Sequence, residues 1–567
     1  MKYLGVWIEK HRKKVWFALG LNLVVMVVLF FTMRPFFETN DDITISSLVN
    51  GAYDVRDAHL EFLNYLLGIV YKAFYSLPGR LPWHTFFQYL VLWLSLSSVT
   101  YVVLQKLESR IGFCVTGLLL IYFAFEGYIR MQFSKTSGIA TCAALFFLFY
   151  AVRKEKISIG AVVMGWFLGC LGFMYRDYEF YICTLLMTGI GVFFLLEPSL
   201  YGKRSRVFLR CAGVFGIQMI LVLGLHLYDE YMYDTDPVWS YYREYNDARS
   251  NLMDYGMPSF KKNQEAYEAL GINKDAYDLY RGWSFDDPDK FGLETMNEVL
   301  KLRPEKKLNM ALVIEYLQKV PKAFFGTHVF YAVLLMFLLW LFFGRHSVPA
   351  VLSVIYEVLL FFGAYFVLYY LGRYLVNRVD VGLWFAVSLV LLWLLMEGEA
   401  KLSPQMCGIL CLSVLVLDQK TWNSDWRINS ATAQTIQVAT RNALEMVSAD
   451  KDHLYLAKVN TISSAGSYGP FNRMPIGILN NICWLGGWEI NSSTSLATLR
   501  KYGVENPYRD MIGNDSVYLI DDNIELTMRY IHTYYDEGAQ AVLVQEVGDF
   551  GIYQIGGTNE TADDMDG

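Results

Sequence analysis

Charge is what this sequence has least of. Asp, Glu, Lys and Arg make up 18% of its 567 residues, hydrophobic residues make up 54%, and mean hydropathy is +0.28. A soluble enzyme of this length divides into two or three domains built from amphipathic segments, so the composition argues against that class. The eight cysteines form no framework. Seven lie in or beside apolar runs and Cys483 stands alone in a hydrophilic region, which leaves no pair for an extracytoplasmic disulfide. No CxxC or HxH spacing occurs and the eight histidines are scattered singly, so neither a metal nor a cofactor is expected. A small-x-small cleavage site is also missing after the first apolar run, which ends in Met33-Arg34-Pro35 and therefore reads as a retained helix rather than a signal peptide.

Long uncharged runs are abundant. Val15 to Met33 and Ile157 to Tyr175 each lack any charge, a length suited to a bilayer core of about 30 Å. Runs over Phe86–Leu104, Gly112–Phe125, Gly138–Val152, Phe180–Leu196, Phe208–Leu227, Phe324–Phe343, Val348–Leu371, Val381–Met396 and Met406–Leu417 complete about eleven spans. Leu60 to Leu77 is broken by Glu61, Asn64 and Lys72, and so reads as an amphipathic surface helix. The fold class is thus a polytopic all-α membrane bundle, followed by a small α/β domain.

His11-Arg12-Lys13-Lys14 places the N-terminus in the cytoplasm by the positive-inside rule. Lys106/Arg110, Arg153/Lys154/Lys156, Lys203/Arg204/Arg206/Arg210 and Arg345 then fall in or beside cytoplasmic loops, an independent check on the order of spans. The scheme leaves outside a loop at 34–85, a large helical loop at 228–322 and the segment 418–567. The latter two carry about −5 and −10, against −7 for the whole chain, so the remainder is about +8. Acid outside and base inside argues against nucleic-acid partners. Residues 1–417 are read as the membrane domain. Residues 418–567 are read as an extracytoplasmic α/β domain with strands at 453–459, 517–520, 541–544 and 551–555, helices at 432–448 and 524–535, and a disordered acidic tail from Asp563.

Chemistry is sought where loops meet the membrane. The first outer loop carries Arg34, Glu38, Asn40, Asp41 and Asp42, then Asp54, Arg56, Asp57 and His59. A plain account exists: Thr39 or Asn40 caps a helix that begins at Asp41, with acids favoured by its dipole. The acids also follow the first span directly and precede an amphipathic surface helix, which holds them at the bilayer surface. On these features the chain resembles the GT-C superfamily of membrane glycosyltransferases, in which an acidic pair stands in the first outer loop soon after the first helix. Amphipathic helices follow in that loop, and a soluble domain often closes the chain. Asn40-Asp41-Asp42 matches the motif. Gly486-Gly487-Trp488 and Lys501 through Tyr508 resemble segments of large membrane proteins of Gram-positive anaerobes, which implies a bacterial source.

The resemblance implies transfer of a sugar from a polyprenyl-phosphate donor to a glycan, lipid or protein acceptor of the cell envelope. Asp41 or Asp42 is then the general base, with Asp41 favoured. The leaving phosphate needs cations, and the outer loops supply Arg130, Lys135, Arg176, Arg373 and Arg378. Arg373, supported by Arg378, is the expected phosphate contact, with Glu38, Asn40 and His59 as further substrate-binding candidates. Tyr128, Tyr175, Tyr178, Tyr369, Tyr370 and Tyr374 either stack on sugar or form an interfacial belt. Competing readings are a polymerase or ligase of the O-antigen type, a lipid or glycan flippase, and a non-catalytic surface-assembly protein. An O-antigen-type enzyme would rely on arginines of the large loop. A transporter is disfavoured because no internal repeat is visible and few charges lie at mid-membrane, Glu357 being the clearest.

Overall fold

The structure is a computed structural model that describes residues 10–558, apart from 80, 198–203, 305, 374, 463–467 and all but a few of 399–430. Most of the expected span Met406–Leu417, Tyr374 and the acidic tail lie outside the described residues. Among the described residues, eight helices are long and apolar enough to cross a membrane, and two shorter apolar ones accompany them. They are α1 (Val15–Thr32), α4 (Trp83–Lys106), α5 (Ser109–Leu119, continued through a π-helical turn to Phe125–Tyr128), α6 (Phe133–Arg153), α7 (Ile159–Tyr175), α8 (Asp177–Leu196), α9 (Arg204–Asp234), α15 (Phe330–Phe343), α16 (Val348–Leu371) and α17 (Asn377–Met396).

Helix α6 is the axis of the bundle. Its residues from Phe133 to Val152 are buried all round, as a helix enclosed by other helices must be. The span expected over Phe324–Phe343 begins later, at Phe330. Helix α14 (Met310–Phe324) ends where Gly326 and Thr327 donate back to Ala323 and Phe324, and α15 starts afresh at Phe330. The surface helix in the first outer loop, α3 (Tyr65–Tyr75), has eleven residues. At 1.5 Å each that is ~16 Å, about half a hydrocarbon core, so α3 is too short to span. Asn64 caps it by accepting from the Leu66 N–H.

The large loop holds α10 (Pro237–Asp254), with Asp236 as N-cap and Pro237 at the first position, then α11 (Gln264–Ala269), α12 (Lys274–Arg281) and α13 (Leu293–Lys301). The terminal segment holds α18 (Ala431–Ala449), α19 (Ser493–Lys501), α20 (Pro507–Asp510) and α21 (Ile524–Tyr534) around a five-stranded sheet. Its strand order is β4-β3-β5-β7-β6, with β3 (Leu454–Ala457), β4 (Ile482–Trp484), β5 (Val517–Asp521), β6 (Gln540–Val547) and β7 (Phe550–Gly556). β3 runs parallel to β4 and β5, whereas β7 is antiparallel to β5 and forms a hairpin with β6.

Both faces of β3, β4 and β5 are buried by other parts of the chain, whereas the edge strand β6 is largely exposed. Alternate residues of a strand point to opposite faces. Leu454, Leu456, Cys483, Leu485, Val517 and Leu519 join a core with Tyr245, Tyr280, Phe285 and Phe291 of the large loop. Tyr455, Ala457, Ile482, Trp484 and Ile520 join another with Ile43, Leu48, Leu60 and Tyr71 of the first outer loop. The sheet is therefore a layer between two outer loops, and the core crosses the boundary expected at residue 418.

Candidate functional site

The first outer loop is tied down at once on leaving the membrane. β1 (Phe36–Phe37) pairs in parallel with β2 (Arg130–Met131), and the Glu38 N–H donates to the Met131 carbonyl. Helix α2 (Asp41–Asn50) begins three residues later. No side chain caps it. Asn40 is already helical in backbone, its carbonyl accepts from Ile43 and Thr44, and Thr39 Oγ1 donates instead to Asp41 Oδ2 at 3.1 Å. The expected Thr39 or Asn40 cap is thus replaced by a hydroxyl turned to the acid.

Adjacent side chains on a helix diverge by about 100°, and the two aspartates take different surroundings. Asp42 is completely buried. Its Oδ1 lies 3.0 Å from His84 Nε2 and accepts from Gln88 Nε2 at 2.8 Å, while Gln88 Oε1 accepts from Thr136 Oγ1. Asp41 lies within electrostatic reach of Arg378 and, more weakly, of Arg176. Burial raises its carboxyl above the usual range, the Arg378 charge opposes that rise, and the Asp42 charge adds to it.

The cations fall into two groups. Lys135 is fully buried with Nζ 2.5 Å from both Glu38 and Glu126, and it donates to the Arg130 carbonyl. Arg130 lies 3.7 Å from Glu38 and 3.9 Å from Glu126, and Asn377 Nδ2 donates to both acids. Glu38, Arg130 and Lys135 therefore satisfy one another. Arg373 is likewise engaged, 2.6 Å from Asp254 and over the Tyr255 ring. Arg373, expected at the donor with Arg378, is thus paired with Asp254 in this structure. Arg176 and Arg378 differ: both are half-buried, and among the described residues neither guanidinium has an ion pair or hydrogen bond. Arg176 lies over the rings of Phe62, Tyr178 and Phe133 at 4.8, 5.6 and 5.9 Å.

His59 is placed elsewhere. Its Nδ1 is 2.7 Å from Asp57 Oδ1, and its ring stacks on Trp239 with Tyr65 and Tyr233 alongside. Tyr128 and Tyr175 are buried rather than part of an aromatic outer face, with Tyr175 Oη 2.8 Å from Tyr71 Oη, whereas Tyr178 is 73% exposed. Sequence reasoning missed His84, Gln88, Glu126, Asn377 and Phe62. A signal existed for the first two: His84 and Gln88 stand four apart at the start of an apolar helix, where polar side chains need a partner. A cavity of about 410 Å³ between α6, α8 and α9 is lined by residues such as Phe149, Phe180, Phe208 and Phe215, and Cys211 is its one titratable lining residue.

No family model matches the sequence, and no curated protein matches it. The chain is similar over most of its length to two crystal structures of ArnT from Cupriavidus metallidurans, one in the apo state and one bound to undecaprenyl phosphate. Identity is 10% in both, with TM-scores of 0.40 and 0.39. Coverage is 94% and 95% of this chain and 97% of each of those chains. A superposition this loose fixes no residue correspondence.

Proposed function

We propose that this chain is a membrane glycosyltransferase of the GT-C kind, moving a sugar from a polyprenyl-phosphate donor to a cell-envelope acceptor on the extracytoplasmic face. The observation that carries the reading is Asp41, a half-buried carboxyl with a raised pKa nine residues beyond the first span, within electrostatic reach of two guanidiniums that have no ion pair among the described residues. Asp41 takes the proton of the acceptor hydroxyl as its oxygen bonds to the anomeric carbon. The bond from that carbon to the phosphate oxygen breaks, and the electron pair leaves with the lipid phosphate. Arg378 and Arg176 meet the charge that builds there, each able to offer two parallel N–H donors. A carboxyl with a raised pKa is a stronger base once ionised, which suits it to a hydroxyl proton. Asp42 plays no part in the transfer. It anchors the first turn of α2 through His84 and Gln88, which orients Asp41.

The test is sugar transfer by purified protein supplied with labelled polyprenyl-phosphate sugars. Asp41→Asn is expected to lose about 10²–10⁴ in turnover at normal membrane abundance. Near-normal turnover in that variant overturns the reading.

A further inference from the structure

The Arg176 guanidinium has rings around it but, among the described residues, no hydrogen bond, so its plane is set by what it stacks on. Phe62 is the nearest ring, at 4.8 Å. Phe62 is itself held on two sides, stacked on Phe133 at 5.7 Å with 8° between planes and met edge-on by Trp488 at 5.0 Å. Trp488 comes from the terminal segment, more than three hundred residues along the chain. It is almost wholly buried, and neighbouring segments fix its backbone. Its carbonyl accepts from Tyr242 Oη at 2.6 Å. Two residues earlier, Gly486 lies flush against the Trp283 carbonyl, where a Cβ would overlap it. The Phe285 and Asp286 N–H groups both donate to the Leu485 carbonyl. On the other side, Glu489 accepts from Tyr53 Oη. The Gly486-Gly487-Trp488 segment is thus pinned by the large loop and by the first outer loop, and its indole is delivered to the ring under Arg176.

We infer that Trp488 is a positioning residue of the donor site: through Phe62 it holds the Arg176 guanidinium in the orientation that receives the lipid phosphate. This rests on the function proposed above. It gives the terminal sheet a role in binding the donor, and it explains why glycine stands at 486, where any side chain would push the indole away from the loop that seats it.

The experiment uses the full-length protein in detergent and undecaprenyl phosphate as the probe, with undecaprenol lacking phosphate as the reference ligand. Trp488→Ala and Phe62→Leu are each expected to weaken binding of the phosphate about threefold to thirtyfold, the range for loss of a partly desolvated cation–π contact. Undecaprenol binding should stay unchanged. Trp488→Phe keeps an aromatic edge and should restore most of the affinity. In a double-mutant cycle, adding Trp488→Ala to Arg176→Ala should cost nothing further, because the indole acts through the arginine. Arg500→Ala, on the exposed side of α19, should bind as wild type. Should Trp488→Ala be too poorly folded to assay, Phe62→Leu carries the same prediction from the other loop. Additive losses in the cycle, or unchanged affinity in both ring variants while Arg176→Ala weakens binding, overturn the inference and leave glycosyl transfer standing. A wild-type chain that does not bind the lipid phosphate overturns both.

Discussion

Two clusters of carboxylates and cations draw on the loop after α1, and they are in opposite states. Glu38, Glu126, Lys135, Arg130 and Asn377 close on themselves, with every charge answered within the cluster. Asp41, Arg176 and Arg378 do not close, because their cations hold no ion pair or hydrogen bond among the described residues. A satisfied network buried among helices is scaffold: it binds the first outer loop to α5, α6 and α17. Cations held half-buried beside an acid, without a bond to it, are arranged for something that arrives from outside.

The comparison breaks most directly at its two centres. Asp41→Asn should cost about 10²–10⁴ in turnover with the protein still abundant. Lys135→Met should do the reverse in kind. It leaves two carboxylates with only the more distant Arg130 between them, a loss of about 3–5 kcal/mol for a broken buried pair. The expected result is depleted membrane abundance, measured by quantitative immunoblot, rather than a slow enzyme. A stable, abundant and inactive Lys135→Met protein would move the lysine from scaffold into chemistry and undo the distinction.

The arginines sharpen the same contrast at smaller scale. Arg378→Ala should weaken use of the lipid-phosphate donor about tenfold to a hundredfold, as expected for a charge-assisted contact worth about 1.5–3 kcal/mol. Lysine there should rescue in part, since it lacks the fork. Arg373→Ala should leave donor kinetics near wild type and lower the thermal midpoint instead, because that arginine is spent on Asp254. The reverse pattern in steady-state donor kinetics would return the role to Arg373.

How legible this was differed by kind of residue. The spans were readable because apolar length is a one-dimensional property, and α3 was readable as a surface helix because Glu61, Asn64 and Lys72 interrupt it. The break at Phe325–Val329 was missed although Gly326, Thr327 and His328 interrupt the apolar run there. β5, β6 and β7 were visible in their residue pattern. β4 was missed because Ile482, Cys483 and Trp484 are few and all buried, which leaves no alternation to see. The acids of the site were found by position in the chain. Arg373 was preferred to Arg378 because a sequence cannot show that Asp254 has already taken it. The terminal segment reads as a unit of its own, since nothing in its pattern reveals that both faces of β3, β4 and β5 are covered by loops hundreds of residues earlier.

The joint between those layers should carry its own pH dependence, the smallest effect expected here. Glu489 is buried beneath the first outer loop, and burial pushes its carboxyl up to about 8, with the Tyr53 hydroxyl partly offsetting that rise. A carboxyl whose folded-state pKa is raised contributes most to stability while it is protonated in both states. That contribution is complete below the unfolded value near 4.5 and is lost as pH climbs toward 8, because the unfolded chain ionises freely and the folded one does not. The loss amounts to a few kcal/mol at most, since water entering a loosened joint relieves part of it. Asp57, nearby in the same loop, moves the opposite way: despite its burial, the hydrogen bonds from His59 hold its carboxyl low, so its contribution is lost on acidification instead. The thermal midpoint of the purified protein should therefore fall between pH 5 and pH 9, and Glu489→Gln should flatten that fall by removing the titrating group while keeping a partner for Tyr53. An equally steep fall in the glutamine variant would place the pH dependence outside this joint and leave Glu489 a neutral part of the packing at every pH.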